Sequence, residues 1–161
     1  YKAGANYAGG LLATLNAQDL GANEALYLDS AQNRYIDEAG SANIVIFTKD
    51  QKLITPSSEA ILPSITRRSV MELAESELSL STEARPIELR AEFANFQEMA
   101  ACGTAAVIAP VGKVWFDNDW RTVFQDGESV GPIMSELYEL LVGIQRGEKE
   151  DKFGWLYNID F

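Results

Sequence analysis

Apolar residues recur at the spacing of an α-helix in three stretches of the chain. In order, they are Tyr7, Leu11 and Leu15; Val70, Met71, Leu73 and Ala74; and Ile133, Leu137, Leu140, Leu141 and Ile144. The first stretch predicts a helix over roughly 6–20, because Gly21 follows it as a helix-ending residue. The second predicts a helix that begins near Ser64 or Ile65. The third predicts a helix over roughly 132–146, which is bounded by a glycine on each side.

Short runs rich in β-branched and aromatic residues predict strands between these helices. The runs cover roughly 25–28, 35–36, 43–48, 53–55, 80–85, 99–102 and 106–116. The polar loop at 49–52 separates two of them, so the region before the second helix should form an antiparallel meander. Pro86 ends the run at 80–85, and a short helical segment is expected over roughly 88–93. Helices and strands therefore alternate in an α/β or α+β arrangement.

Composition favours a single globular domain over residues 1–161. The apolar fraction of 47% and the charged fraction of 23% are close to the averages for a globular protein, and no repeat or linker divides the chain. The net charge of -11 repels nucleic-acid phosphates and anionic lipids. The apolar stretches are also much shorter than a membrane span. We therefore expect neither nucleic acid nor a membrane as a partner.

The residue types present restrict the chemistry. The chain contains no histidine, which excludes Ser/His and Cys/His nucleophile pairs and any zinc site with histidine ligands, and we expect no metal. A proton carrier would have to be a lysine, a carboxylate, a tyrosine or a cofactor. Cys102 is the single cysteine, so no intrachain disulfide forms; we expect a buried thiol and a cytoplasmic location. The amine of Lys2 could form a Schiff base, and Tyr7 could meet the same ligand, although a lysine near a chain end is usually a solvated charge.

Five segments of the chain carry a more specific signal when they are taken in order. They are Lys2 with Asn6-Tyr7; Tyr35-Ile36-Asp37-Glu38-Ala39-Gly40; Ile61-Leu62-Pro63-Ser64-Ile65-Thr66-Arg67; Gly103-Thr104-Ala105-Ala106 with Pro110-Val111; and Gly143 to Glu148 through Gly154-Trp155. Together they resemble the branched-chain aminotransferases, which belong to the fold type IV enzymes that use pyridoxal phosphate (PLP). The resemblance implies a C-terminal pseudo-barrel-like domain of mixed and antiparallel strands with flanking helices. It also implies that the N-terminal domain of the family is absent from this chain.

The resemblance assigns roles to three residues around the PLP ring. Lys2 matches the lysine that binds PLP covalently and moves the proton between the cofactor and the α-carbon of the substrate. Tyr7 matches the tyrosine that hydrogen-bonds the phenolic oxygen of PLP. Glu38 matches the carboxylate that pairs with the pyridine nitrogen and favours the protonated ring. Asp37 precedes it and should be exposed on the opposite face of the strand.

The same resemblance assigns the remaining site residues. Leu62 matches the leucine that packs against the pyridine ring. The backbone amides of Ile65 and Thr66 match those that bind the phosphate at a helix N-terminus, where unpaired N–H groups and the helix dipole favour an anion. The hydroxyl of Thr104 matches the group that completes the phosphate site. The amides of Thr104 and Ala105 match the turn that receives the substrate carboxylate.

Two positions depart from the family pattern. Ser64 and Ala5 stand where glycine is common, and a side chain with a positive φ would cost on the order of 1 kcal/mol. Ser64 has an alternative role, because its hydroxyl could cap the following helix.

The resemblance implies transamination of the branched-chain amino acids leucine, isoleucine and valine with 2-oxoglutarate, in a homodimeric full-length enzyme. A D-amino acid aminotransferase or an aminodeoxychorismate lyase of the same fold type is the alternative within PLP chemistry. A non-catalytic fragment or binding module is the alternative outside it.

Overall fold

The computed structural model describes residues 3–40, 42–157 and 159, and gives the backbone alone at Asn6. The helices are α1 (Gly4–Ala8), α2 (Leu11–Asp19), α3 (Ile65–Ser76), α4 (Leu89–Glu92) and α5 (Pro132–Gln145), with a 3-10 turn at Phe93–Asn95. The strands are β1 (Leu26–Leu28), β2 (Ile36–Ala39), β3 (Asn43–Thr48), β4 (Lys52–Pro56), β5 (Ser81–Arg85), β6 (Phe96–Gly103), β7 (Val107–Pro110), β8 (Lys113–Phe116) and β9 (Asp119–Thr122).

A five-stranded mixed sheet forms the centre of the molecule, in the order β5-β4-β3-β6-β7. Strands β4 and β5 run parallel and are linked through α3, whereas the other pairs are antiparallel. Strands β1 and β2 form a separate ribbon, as do β8 and β9. The predicted meander is therefore divided, because β2 bonds to β1 while β3 bonds to β4 and β6.

Both faces of the central sheet are covered. All six residues of β3 are buried, which explains why this strand has a nearly continuous apolar sequence instead of an alternating one. On one face, Val45 and Phe47 pack in a cluster with residues of α3 and α5. On the other face, Ile44 and Ile46 pack in a cluster with residues of β2, β6 and β8. The sheet therefore lies between two hydrophobic clusters, and the loops begin where its strands end.

The predicted first helix is wrong in one respect, since it is two helices separated at Gly9-Gly10. Glycine weakens a helix interior, and the hydroxyl of Tyr27 donates to the carbonyl of Gly10 at 3.3 Å. The leucines of α2 are exposed, with Leu11 at 61% and Leu12 at 68% exposure. Helical spacing identified the helix but not a buried face.

Several of the other predicted elements agree closely with the structure. Helix α5 and strand β3 begin and end within about one residue of the predicted bounds, and α3 begins where it was predicted to begin. The run at 106–116 is instead divided into β7 and β8, which belong to different sheets. Strand β9 was not predicted, because its polar sequence lies on an exposed hairpin. Within the described part of the chain, no helix has the length and apolar character needed to cross a bilayer.

Candidate cofactor site

One edge of the central sheet gathers segments that are distant in sequence. Asn43 at the start of β3 pairs with Cys102 near the end of β6. The turn that follows Glu38 therefore lies beside the turn that contains Thr104. Strand β4 is antiparallel to β3, so the loop that follows β4 and leads to α3 begins at this edge as well. The antiparallel register thus brings three of the predicted site segments to the same edge.

A cleft of about 790 Å³ opens beside this edge. Its lining includes Tyr7 from α1, Glu38 from β2 and Leu62 from the loop before α3. The structure therefore brings these three predicted residues into one concavity. Ile65, Thr66, Thr104 and Ala105 do not line this cleft, although they lie in segments that reach the same edge.

Glu38 is presented by a bulged strand. Ala39 pairs with Leu26, whereas Ile36 pairs with Leu28, so β2 has one residue more than β1 between these pairs. A bulge interrupts the strict alternation of side chains, and both Asp37 and Glu38 consequently line the cleft. The prediction that Asp37 would be exposed on the opposite face is wrong. Asp37 is partly buried and accepts a hydrogen bond from Ser58 Oγ at 2.8 Å.

The turn after Glu38 depends on Gly40. This residue has a φ of +46°, and a Cβ added to it would overlap the carboxylate of Glu24. Glu24 also lines the cleft, together with Asp37, Glu38 and Glu59. The lining of the cleft is therefore acidic, and the first turn of α3, which contains no acidic residue, is the more favourable position for an anionic group.

The N-terminus of α3 has the features of an anion site. Ser64 has an extended backbone with a φ of -101°, and its hydroxyl accepts a hydrogen bond from the Arg67 amide at 3.1 Å. The amides of Ile65 and Thr66 occupy the first positions of the helix, where N–H groups have no partner within the helix. The first turn contains no acidic residue, and Arg67 and Arg68 follow directly.

Both departures from the family pattern therefore fit the fold. Ser64 does not require a positive φ and acts as the helix cap that was proposed as its alternative role. Ala5 lies inside α1, where the backbone is right-handed and accepts any side chain. Neither substitution introduces backbone strain.

Thr104 and Ala105 are exposed in the turn between β6 and β7. A Cβ at the preceding Gly103 would lie 3.9 Å from the Cβ of Ala42, in ordinary contact with the turn that follows Glu38. The hydroxyl and amides of this turn are thus accessible to a ligand that is bound at the sheet edge. Lys2, the predicted catalytic residue, lies outside the described residues.

Cys102 lies under this turn, with 1% of its surface exposed. Desolvation by burial raises the pKa of its thiol to about 12, against a smaller lowering effect of Arg67. The thiol is therefore protonated at neutral pH and has no nucleophilic character there. This agrees with the prediction of a buried thiol.

A larger cleft, of about 1110 Å³, lies between α2 and the strands β7 and β8. Alanines, Trp115 and Trp120 contribute to its lining, and none of the predicted site residues that the structure describes lines it. Size alone would favour this cleft. The smaller one is the better candidate because it holds Tyr7, Glu38 and Leu62 and adjoins the segment that leads to α3.

Sequence reasoning overlooked one polar residue at the site. Asn43 is 5% exposed, and its Nδ2 donates to the carbonyl of Leu62 at 3.2 Å. Its position at the head of the apolar run Ile44 to Phe47 was the available signal, since a buried amide at a strand end requires a partner.

The chain belongs to the amino-transferase class IV family, whose model matches residues 2–114. The branched-chain-amino-acid aminotransferase of Helicobacter pylori (strain J99) is 41% identical over 158 residues, which are 98% of this chain and 45% of that protein. The enzyme of the same name from Haemophilus influenzae is 40% identical and is covered to 47%. The chain therefore spans less than half the length of these relatives.

Solved structures show the same relationship. A branched-chain amino acid aminotransferase from Escherichia coli superposes with a TM-score of 0.83 and 34% identity, covering 99% of this chain and 49% of that one. The enzyme of the same name from Thermobaculum terrenum, solved in its PLP-form, superposes with a TM-score of 0.75 and 31% identity, covering 92% of this chain and 45% of that one. The predicted fold class, a mixed α/β domain of the fold type IV aminotransferases, is confirmed.

Proposed function

We propose that this chain is the cofactor-binding part of a PLP-dependent branched-chain aminotransferase. The whole protein would exchange the amino group of leucine, isoleucine or valine with 2-oxoglutarate, giving a branched-chain 2-oxo acid and glutamate. The observation that carries this proposal is the shared cleft of Tyr7, Glu38 and Leu62 beside the segment that leads to α3. The names of the similar proteins support the substrate class.

The residues present fit the shape and charge of PLP. The cofactor is a flat ring with a phosphate at one end, and it requires an apolar wall, a carboxylate near the ring nitrogen and an anion site. Leu62 provides the wall, Glu38 the carboxylate and the N-terminus of α3 the anion site. The volume of about 790 Å³ also lies in the usual range of small-molecule sites.

Bound PLP would supply an electron sink for the pair of electrons left on the α-carbon of the substrate. The Glu38 carboxylate would hold a proton on the ring nitrogen, since an anion there stabilises the positive charge. The Tyr7 hydroxyl would donate a hydrogen bond to the phenolic oxygen. Lys2, by resemblance to the family, would bind the cofactor covalently and carry the proton to and from the α-carbon.

The helix terminus and the turn would bind the anionic groups. The amides of Ile65 and Thr66 and the hydroxyl of Thr104 would bind the phosphate, with the arginines of the first turns of α3 adding positive charge. The amides of Thr104 and Ala105 would receive the substrate carboxylate. None of these groups is among the residues that line the acidic cleft.

The rest of the enzyme is part of the same proposal. An N-terminal domain would complete the site, and the full-length protein would be a cytoplasmic homodimer that acts on small molecules. Residues 1–161 would form its C-terminal domain.

Spectroscopic titration of the full-length protein with PLP tests the proposal. We expect a visible absorbance band from PLP bound to an amine, and its loss in Lys2→Ala. The matched control is Lys49→Ala, which replaces an exposed lysine on the β3–β4 turn and should leave the band unchanged. A wild-type protein without the band, or a band that survives Lys2→Ala, would favour a non-catalytic module.

Amino donors separate the alternatives within PLP chemistry. Transamination with 2-oxoglutarate should be faster with leucine than with D-alanine. A preference for D-alanine would indicate a D-amino acid aminotransferase. A bound cofactor without transamination of either donor would direct attention to a lyase.

A further inference from the structure

Asn43 is a buried polar residue at the sheet edge where the proposed site lies. It is the first residue of β3, directly after the turn that follows Glu38, and only 5% of its surface is exposed. The rest of the strand is apolar except for Thr48 at its far end. An amide at this buried position therefore needs an explanation beyond packing.

The hydrogen bond made by Asn43 provides that explanation. Its Nδ2 donates to the carbonyl oxygen of Leu62 at 3.2 Å. Leu62 lines the cleft and lies two residues before Ser64, the cap of α3. One side chain thus connects the central sheet to the loop that sets both a wall of the cleft and the start of the helix.

The side-chain oxygen of Asn43, Oδ1, argues against a purely structural role. Among the described residues, Oδ1 of Asn43 is buried and has no hydrogen-bond partner. An unpaired buried carbonyl oxygen disfavours the folded state relative to an apolar side chain. An apolar residue at this position would therefore make the folded state more stable. The presence of Asn43 is explained if its hydrogen bond to Leu62 is needed to shape the site.

We propose that Asn43 is a positioning residue for the PLP site: it holds the Leu62 carbonyl so that the ring wall and the N-terminus of α3 keep their spacing. This inference rests on the proposed function. Asn43 would not contact the cofactor and would act through Leu62. Its loss should loosen the loop and weaken cofactor binding.

The test compares Asn43→Ala with wild type in the full-length protein. Loss of one hydrogen bond to the loop should raise the PLP dissociation constant by about threefold to tenfold. Amide hydrogen exchange in the segment 61–66 should become faster in the PLP-free protein. At saturating PLP, kcat should return to within about twofold of wild type, because no group that contacts substrate is removed.

Thr48→Val is the matched control. Thr48 lies at the other end of β3 and is 2% exposed, and its hydroxyl donates to the Lys52 carbonyl at 3.0 Å and accepts from the Lys52 amide at 3.2 Å. This variant loses both of these hydrogen bonds, which lie on the same strand but away from the cleft. It should reduce stability without changing PLP affinity or exchange in 61–66. If Asn43→Ala does not fold, Asn43→Ser, whose side chain is shorter but still polar, replaces it.

Two results would overturn the role of Asn43. One is a PLP dissociation constant within twofold of wild type, and the other is a weakening no greater than that of Thr48→Val. Failure of the wild-type protein to bind PLP is a different result, which would overturn the proposed function and this inference together.

Discussion

Ser64 and Asp37 show how single positions depend on their surroundings. Ser64 replaces a glycine of the family pattern, and the fold accepts it because the backbone there is extended and the hydroxyl caps α3. The sequence was compatible with either a strained positive φ or a helix cap at Ser64, and the structure has the cap. Asp37 was expected to face solvent, but the bulge in β2 turns it toward the cleft. A bulge arises from the pairing with β1, so it is not visible in the local sequence.

Cys102 should make stability depend on pH above neutrality. Burial raises its thiol pKa from an ordinary value of 9.0 to about 12. Between these values the native chain keeps a proton that the unfolded chain has lost, so the free energy of unfolding should fall as pH rises from about 9 to about 12. Urea unfolding at pH 8 and pH 10 should show this fall in wild type and a smaller one in Cys102→Ala. Equal pH dependence in both proteins would contradict the assignment.

Helix α5 shows what an element requires beyond its own sequence. Periodicity predicted its length and its buried face, and Leu137, Leu141 and Ile144 are buried as expected. Its N-terminus, however, is capped by Glu98 from β6, whose carboxylate accepts hydrogen bonds from the amides of Ile133 at 3.1 Å and Met134 at 2.8 Å. This partner lies far away in sequence, so no local rule for helix caps would have found it.

Removal of the Glu98 carboxylate should destabilise the fold. Glu98 is 2% exposed, and Glu98→Ala would leave two helix amides without their acceptor. We expect the free energy of unfolding to fall by about 1–3 kcal/mol in urea unfolding. Glu139→Ala, on the exposed side of the same helix, should change it by less than about 0.5 kcal/mol. A similar loss in both variants would show that the bonds to Ile133 and Met134 contribute little.

The described part of the molecule leaves apolar surface uncovered. The leucines of α2 are exposed, and the proposed cofactor cleft is open beside the sheet edge. The chain also spans less than half the length of its relatives. These facts support the proposal that a further domain completes the site and excludes water from it.

The isolated 161-residue chain should therefore have little or no transaminase activity. Substrate positioning and water exclusion would both depend on the proposed further domain, and imprecise positioning alone can lower a rate by about 100-fold. Steady-state assays with leucine, 2-oxoglutarate and PLP should show at least this deficit in kcat/KM relative to the full-length protein. Turnover equal to that of the full-length protein would refute the prediction.

Local pattern was sufficient for the start of α3, for α5 and for β3, whereas the residues that suit PLP chemistry were indicated by the resemblance to a known family. Helical spacing, a proline or serine before a helix and a run of β-branched residues act over a few neighbouring positions, so they can be recognised in the sequence. The fold was needed to show that Asn43 pairs with Cys102, that β2 is bulged, and that Glu98 caps a distant helix. These features arise from packing between segments that are remote along the chain, and their energies exist only when those segments meet.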